Sequence, residues 1–188
     1  MRLPWRASTG FTLVELLVTV TIVAILAAIA VPVINSNSPV TEANALYYTL
    51  QFARGSALKQ SQNVVVCASS DGAKCSAGSS WSGGWIVLAP TSNSCGDLGG
   101  HAGDIVLQKQ PAFSNTDTAV FNQTGGNTNT QFCFTRLGFS MSSFTGWVKF
   151  DSSPVNTGRE RCVMVSGVGH VQVIKNGQTD ALGVGPCQ

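Results

Sequence analysis

The sequence is poor in charged residues, which make up only 11% of its 188 positions. Eleven of them are basic and nine are acidic, and only two histidines are present. This near balance argues against a general polyanion binder, whose affinity comes from clustered lysines and arginines. The sequence also contains no nucleophile-elbow pattern, no glycine-rich phosphate loop and no metal-ligand motif. We therefore expect no enzyme activity, no cofactor and no metal.

Closely spaced cysteine pairs of the C-x-x-C type are absent, and such pairs are what a structural zinc site requires. Neither His101 nor His170 lies at metal-site spacing from a cysteine. The six cysteines all follow the N-terminal apolar segment, and an even number in an exported domain predicts disulfides. They are Cys67, Cys75, Cys95, Cys133, Cys162 and Cys187.

The sequence favours one of the disulfide pairings over the others. Cys67 and Cys75 flank a short Ser-Ser-Asp-Gly turn, so we expect these two to pair. The remaining four cysteines allow three pairings that the sequence alone does not separate. Of these we favour Cys133 with Cys162, because both lie in strand-like runs.

The N-terminal region carries a long apolar run. The 24 residues from Phe11 to Ile34 contain a single charge, Glu15. A helix of this length can cross the hydrocarbon core of a membrane, where a carboxylate is costly and needs a partner. The run is too long for an ordinary secretory signal peptide, and no A-x-A-like cleavage site follows it. The preceding residues include Arg2 and Arg6 but no acid, as is typical of a segment held on the cytoplasmic side.

The motif Gly10-Phe11-Thr12-Leu13-Val14-Glu15 resembles the processing signal of type IV pilins and of the pseudopilins of type II secretion. The resemblance implies that a prepilin peptidase cuts between Gly10 and Phe11 and methylates the new terminal amine of Phe11. It also assigns an assembly role to Glu15, at mature position 5, and to Pro32, at the family's helix-kinking position.

Beyond the apolar run, Pro32 and residues 35–39 predict a kink or a break in the helix. The helix should resume with Ser38 as N-cap and Pro39 at its first helical position, and should end near residues 60–63. Apolar residues then recur at spacings of three and four, which predicts a helix that buries one face. These residues are Ala43, Leu46, Leu50, Ala53 and Ala57.

After residue 63 the pattern changes to short β-rich runs separated by glycine and small polar residues. The seven predicted strands are Val64–Ala68, Trp85–Ala89, Ile105–Lys109, Gln131–Arg136, Trp147–Phe150, Cys162–Ser166 and His170–Lys175. The polar segments 91–103 and 114–130 are predicted to be long loops.

The predicted fold class is therefore α+β, with a long N-terminal helical spine packed on a C-terminal antiparallel β-rich domain, as in pilins. The predicted parts are a cleaved leader at 1–10, a transmembrane and filament-core helix at 11–34, an amphipathic continuation at 35–62 and a periplasmic β-rich domain at 63–188.

Within the pilin family, the chain resembles the GspH/FimT/FimU group of minor pilins and pseudopilins. The resemblance rests on Phe52-Ala53-Arg54, Val65-Val66-Cys67-Ala68-Ser69, Trp81 and Gly84-Trp85-Ile86-Val87. We interpret the two tryptophans as core aromatics.

Within this group the chain resembles the FimU-like members most. That resemblance implies a structural role in the pilus tip, where the protein would prime assembly and connect other minor pilins. The implied partners are other minor pilins, the major pilin, the inner-membrane assembly platform and the prepilin peptidase. The implied location is the inner membrane, with one span and a periplasmic domain, and later the pilus on the cell surface.

Two alternatives stay open at this stage. Gly158-Arg159-Glu160-Arg161 fits a G-R-x-R motif of FimT-like pilins that bind DNA for natural transformation. Arg159 and Arg161 could reach phosphates if the segment were a flexible loop, although Glu160 lies between them. The other alternative is a GspH-like minor pseudopilin of type II secretion.

Overall fold

The computed structural model describes residues 11–35, 38–123, 125, 128–181 and 183–188. The chain divides into two compact units, Met1–Asn37 and Ser38–Gln188. The predicted leader, including Gly10, lies outside the described residues, as do the side chains of residues 27–38.

The first unit contains helix α1, Leu13–Asn35. The helix continues through Pro32 and does not break there, since a proline removes only one backbone donor and the helix can resume on its far side. Among the described residues, no helix meets the combined length and hydropathy expected of a membrane span.

The second unit begins with helix α2, Ser38–Gln60, which ends where the sequence predicts. The residue after it, Ser61, has a φ of 54°, the left-handed conformation that commonly terminates helices. The predicted apolar stripe is confirmed, because all five of its side chains are fully buried. This stripe is the face that α2 presents to the β-rich part of the unit.

Eight strands follow, in two antiparallel four-stranded sheets. Sheet 1 has the order β3-β2-β1-β5 and sheet 2 the order β4-β6-β7-β8. The strands are β1 Val64–Ala68, β2 Trp85–Ala89, β3 Ile105–Gln110, β4 Thr118–Gln123, β5 Gln131–Phe134, β6 Gly146–Asp151, β7 Arg161–Val165 and β8 Val171–Lys175. A 3₁₀ turn, Ser142–Phe144, precedes β6.

Strand β4 corrects the prediction that 114–130 is one long loop. It pairs along its whole length with β6, from Thr118 opposite Asp151 to Gln123 opposite Gly146. Ala119 and Phe121 point into the core while their neighbours are more exposed, which is the period-two pattern of an edge strand. The seven predicted strands all exist, with ends shifted by at most two residues.

The core lies where α2 meets both sheets. Its buried members come from the α2 stripe, from β1, β2 and β5 of sheet 1, and from β4, β6, β7 and β8 of sheet 2. Trp81 and Trp85 are fully buried in it, which confirms the interpretation of both as core aromatics. The indole N–H of Trp85 donates to Thr49 Oγ1 at 3.3 Å, so its polar atom also has a partner.

Three disulfides hold segments against the outer faces of the sheets. They are Cys67–Cys75, as predicted, Cys95–Cys133 and Cys162–Cys187. The first two belong to a small cluster with Val65, Ile86 and Leu88, and the third to a separate cluster with Met164 and Ile174.

The favoured pairing of Cys133 with Cys162 is therefore wrong. Cys133 lies on β5 of sheet 1 and Cys162 on β7 of sheet 2, and their side chains belong to two clusters on opposite sides of the main core. A disulfide needs Cα atoms within about 7 Å. Two cysteines that face away from a shared core cannot meet that limit.

Two leucines of α2, one buried in the stripe and one exposed, allow the assigned helix face to be tested by its effect on stability. Leu50→Ala should destabilise the Ser38–Gln188 unit by about 2–5 kcal/mol, because Leu50 is fully buried and truncation leaves a cavity. Leu58→Ala should cost less than about 1 kcal/mol, because Leu58 is 50% exposed. Denaturant unfolding measures both changes, and equal losses would contradict the assigned helix face.

Candidate assembly surface

The first turn of α1 joins the predicted processing site to the predicted assembly residue. Thr12 precedes the helix, and its Oγ1 accepts a hydrogen bond from the backbone N–H of Glu15 at 3.2 Å. This is the N-cap contact of the pattern Thr-x-x-Glu, a signal that sequence analysis missed. Glu15 also lies in the first turn, where the helix dipole favours a carboxylate. The negative charge is therefore placed four residues from Phe11, the predicted mature terminus.

From Leu16 to Leu26, α1 presents apolar side chains apart from those of Thr19 and Thr21. Every described side chain from Phe11 to Leu26 is exposed within its own unit. The hydroxyls of Thr19 and Thr21 donate to the carbonyls of Leu16 and Val18, at 2.9 and 2.8 Å. Since these hydroxyls are satisfied inside the helix, α1 can enter an apolar environment without carrying unpaired donors into it.

The loop between β2 and β3 is braced by two carboxylates. Asp104 accepts from the backbone N–H groups of Thr91 and His101, both at 2.8 Å, and these bonds lower the pKa of its carboxyl. The pKa of the Asp97 carboxyl is lowered mainly by a hydrogen bond from Ser92 Oγ, and further by one from the backbone N–H of Gly99. Hydrogen bonds to the ionised form of a carboxyl favour that form.

His101 lies beside both carboxylates, with Nδ1 at 3.2 Å from Asp97 and 3.5 Å from Asp104. The three groups have residue types and spacing that suit a metal ion. Sequence analysis missed them because it compared the histidines only with the cysteines. Both carboxylates already accept backbone or hydroxyl hydrogen bonds, so the contacts observed serve to hold the loop in shape.

The two arginines of the G-R-x-R motif lie in a hydrogen-bonded turn and at the start of a strand. Arg161 begins β7, and its Nη1 donates to the carbonyls of Gly158 and Glu160, at 2.9 and 2.7 Å. Arg159 lies in a turn closed by its own N–H and the Asn156 carbonyl. The segment is therefore a structured turn, which differs from the flexible loop that phosphate contact would favour.

Acidic groups also surround this turn. Glu160 is only 3% exposed, and its Oε2 accepts a hydrogen bond from Asn176 Nδ2 and lies 3.8 Å from Lys149 Nζ. Lys149 is paired more closely with Asp151, at 2.9 Å. The nearby lysine is thus matched by two carboxylates, and the motif gains no additional positive charge from it.

Arg54 makes a long-range contact that its position on α2 does not predict. Its Nε donates to the Gly138 carbonyl at 2.9 Å, across 84 residues of sequence. The loop after β5 is thereby fixed to the second half of α2.

Two family models match the chain. One, described as type II transport protein GspH, matches residues 42–169, which cover α2 from its fifth residue through β7 and the turn that follows. The chain belongs to the GspH family. The other model, described as a prokaryotic N-terminal methylation motif, matches residues 5–31 and thus includes Gly10, Phe11 and Glu15.

Solved structures with the same fold include two crystal structures of the type IV minor pilin FimU from Pseudomonas aeruginosa strain PAO1. The P21 crystal form superposes with a TM-score of 0.52 at 21% identity, over 73% of this chain and 89% of FimU. The P65 form gives a TM-score of 0.50 at 21% identity, over 71% and 90%. No curated protein matches the chain by sequence.

The family assignment confirms that this is a GspH/FimU-type member with a pilin-like α+β fold. The part matched by the GspH model contains the α2 stripe, sheet 1, strands β4, β6 and β7 of sheet 2, and the Arg54 contact. It ends at Gly169, before β8 and before Cys187 of the last disulfide.

The lowered pKa of Asp104 predicts how the β2–β3 loop responds to acid. A carboxyl with a folded-state pKa below its unfolded value of about 3.9 stabilises the fold above that pH, and this contribution is lost as the pH falls through the folded-state pKa. Hydrogen-exchange protection of the Thr91 and His101 amides should therefore be high at pH 7 and decline as the pH falls below about 4.

Asp104→Asn is the matched variant for this measurement. It should reduce protection of the same two amides at pH 7, and its difference from the wild type should shrink in acid. A difference that is independent of pH would show that the charge of Asp104 does not stabilise the loop.

Proposed function

We propose that this protein is a minor pilin, a structural subunit of the type IV pilus tip that helps to prime assembly and connects other minor pilins. The observation that carries the proposal is the first turn of α1, where a Thr12-capped Glu15 follows the predicted Gly10–Phe11 junction at the start of an exposed apolar helix. The membership of the GspH family and the likeness to FimU support it. The role is one of scaffolding and involves no chemical reaction.

The proposed sequence of events begins in the inner membrane, which α1 spans once before assembly while the β-rich unit lies in the periplasm. A prepilin peptidase removes the leader and methylates Phe11. The assembly platform then moves the subunit into the filament, where it contacts other minor pilins and the major pilin. In this scheme the membrane anchor and the filament contact are the same apolar helix at two stages.

Glu15 would provide the driving force and register for this transfer. A carboxylate in lipid is costly, by roughly 2.5–3.5 kcal/mol at the centre of a membrane helix. Pairing with the methylated amine of a neighbouring subunit's first residue removes that cost as α1 enters a helix bundle. Close packing of the bundle is helped by the small side chain of Ala24 and by the alanines at 27, 28 and 30.

A GspH-like minor pseudopilin of type II secretion is the second candidate. The observation that favours it is the description of the matching family model as a type II transport protein. The two candidates share processing, membrane insertion and filament entry, and they differ in the filament that the mature protein joins. Co-purification with sheared surface pili supports the first, and loss of secretion on deletion, with normal pili, supports the second.

Processing can be tested directly by intact mass spectrometry of the membrane-extracted protein. We expect a chain that begins at Phe11 and carries one methyl group on its amine. The expectation is supported by the match to the methylation motif over residues 5–31 and by Glu15, which would be residue 5 of the mature chain. A chain that retains residues 1–10, or one that lacks the whole apolar segment, would contradict the proposal.

Glu15 can be tested by a change that removes only its charge. Glu15→Gln keeps the side-chain length, so we expect the β-rich unit to fold normally while incorporation into filaments falls at least tenfold. Quantitative immunoblotting of sheared pili against total membrane protein measures the change. Thr21→Val is the matched control, since it alters an exposed polar side chain of the same helix that bonds only to its own backbone. Wild-type incorporation of Glu15→Gln would exclude the ion pair.

A further inference from the structure

An apolar patch lies exposed at the end of the second unit where α2 meets two loops. It consists of Leu58 on α2, Leu137 and Phe139 in the loop after β5, and Val168 in the β7–β8 turn. These side chains are 50%, 66%, 50% and 61% exposed, respectively. Together they expose an apolar surface on the order of a few hundred Å², and an apolar patch of this size on a monomer is often functional.

The end of α2, the loop after β5 and the β7–β8 turn are in close contact with one another. A Cβ placed on Gly138 would lie 3.2 Å from Leu58, and one placed on Gly169 would lie 2.2 Å from the Gly138 carbonyl oxygen. Arg54 Nε donates to the same carbonyl at 2.9 Å. The N–H of Ser140 also donates to the Gly167 carbonyl at 3.1 Å, so the two loops are bonded to each other. The patch is thus a surface of fixed shape, as a protein partner requires.

The charged residues in the three segments that form this patch are all basic. Arg54 lies one turn before Leu58 on α2, Lys59 follows Leu58, and Arg136 precedes Leu137. The segments 52–60, 135–141 and 166–170 contain no acidic residue. From Val40 onward the chain has nine basic and eight acidic side chains, so this local excess is not a property of the whole unit.

We propose that this basic-rimmed apolar patch is the docking surface for the globular domain of a different tip subunit, one that presents carboxylates around an apolar centre. The proposal rests on the proposed function and names the chemistry of one partner. An apolar centre supplies affinity by excluding water, whereas opposite charges at the rim set orientation and speed association. The contact therefore has an apolar core with a charged rim.

The test measures binding of the detergent-extracted full-length protein to each of the other purified tip subunits, by biolayer interferometry at two salt concentrations. Leu137→Ala combined with Phe139→Ala should weaken binding to one subunit at least tenfold. Arg136→Glu should weaken it several-fold and flatten its dependence on salt. Because all three side chains are exposed, circular dichroism and melting temperature should match the wild type.

Two control variants change similar side chains elsewhere. Val155→Ala alters an apolar side chain that is 80% exposed in the loop before β7, and Lys175→Glu reverses an exposed charge at the end of β8. Both should bind as the wild type does. Equal binding by the patch variants, or equal weakening by the controls, would overturn the proposal.

Other occupants of the patch give different results. Concentration-dependent self-association that the patch variants abolish would identify a second copy of this chain as the occupant. Patch-dependent binding to vesicles containing phosphatidylglycerol, or to duplex DNA, would identify an anionic lipid surface or a nucleic acid. Each of these results, like absence of binding to every tip subunit, overturns the proposed partner.

The experiments distinguish a wrong docking proposal from a wrong proposed function. If the wild type is found in sheared pili and the patch variants bind every tip subunit normally, only the docking proposal fails. If the wild type never enters pili, the proposed function itself fails, and the docking proposal fails with it.

Discussion

The second unit depends on one interaction, the packing of the α2 stripe against both sheets at once. Leu46 and Leu50 are its largest side chains, and three alanines let strands approach the helix closely. The buried members of this core come from α2 and from every strand except β3, whose half-buried Leu107 packs against them, so the helix and both sheets form a single folded unit. A four-stranded sheet with only one covered face buries little apolar surface, and we therefore expect neither sheet to be stable alone.

The outer faces of the sheets are covered in a different way. No α-helix of the described residues packs there, and the small apolar clusters are instead covered by loops, the 3₁₀ turn with Phe144, and disulfides. A disulfide stabilises a fold chiefly by restricting the conformations of the unfolded chain. The second unit therefore has an apolar core between α2 and the sheets, and disulfides at the outer faces of the sheets.

Local patterns predicted the parts of this fold that local forces determine. The α2 stripe, the bounds of β1 and β2 and the Cys67–Cys75 pair each follow from spacing within a few residues. Strand β4 was missed because its two inward residues, Ala119 and Phe121, are embedded in a stretch rich in threonine and asparagine.

Two further features that sequence reasoning did not find are contacts between distant segments. The partner of Cys133 depends on which face of sheet 1 it occupies, and the role of Arg54 depends on a carbonyl 84 residues away. Composition and periodicity carry no information about either contact. The processing site between Gly10 and Phe11 stays a prediction, and it rests on a linear motif that needs no tertiary structure.

The placement of the disulfides determines how the second unit would respond to a pulling force. Cys67–Cys75 and Cys95–Cys133 brace the side of sheet 1, and Cys162–Cys187 braces the side of sheet 2, so no covalent crosslink joins the two sheets. A tensile load that separates the sheets is resisted by the connecting backbone and by noncovalent contacts. These contacts include the packing of α2 and the direct aromatic contacts Trp85–Phe150 and Phe121–Phe132 between the sheets. The core is therefore the element that would yield first under force, while the crosslinked loops on either side would keep their shape.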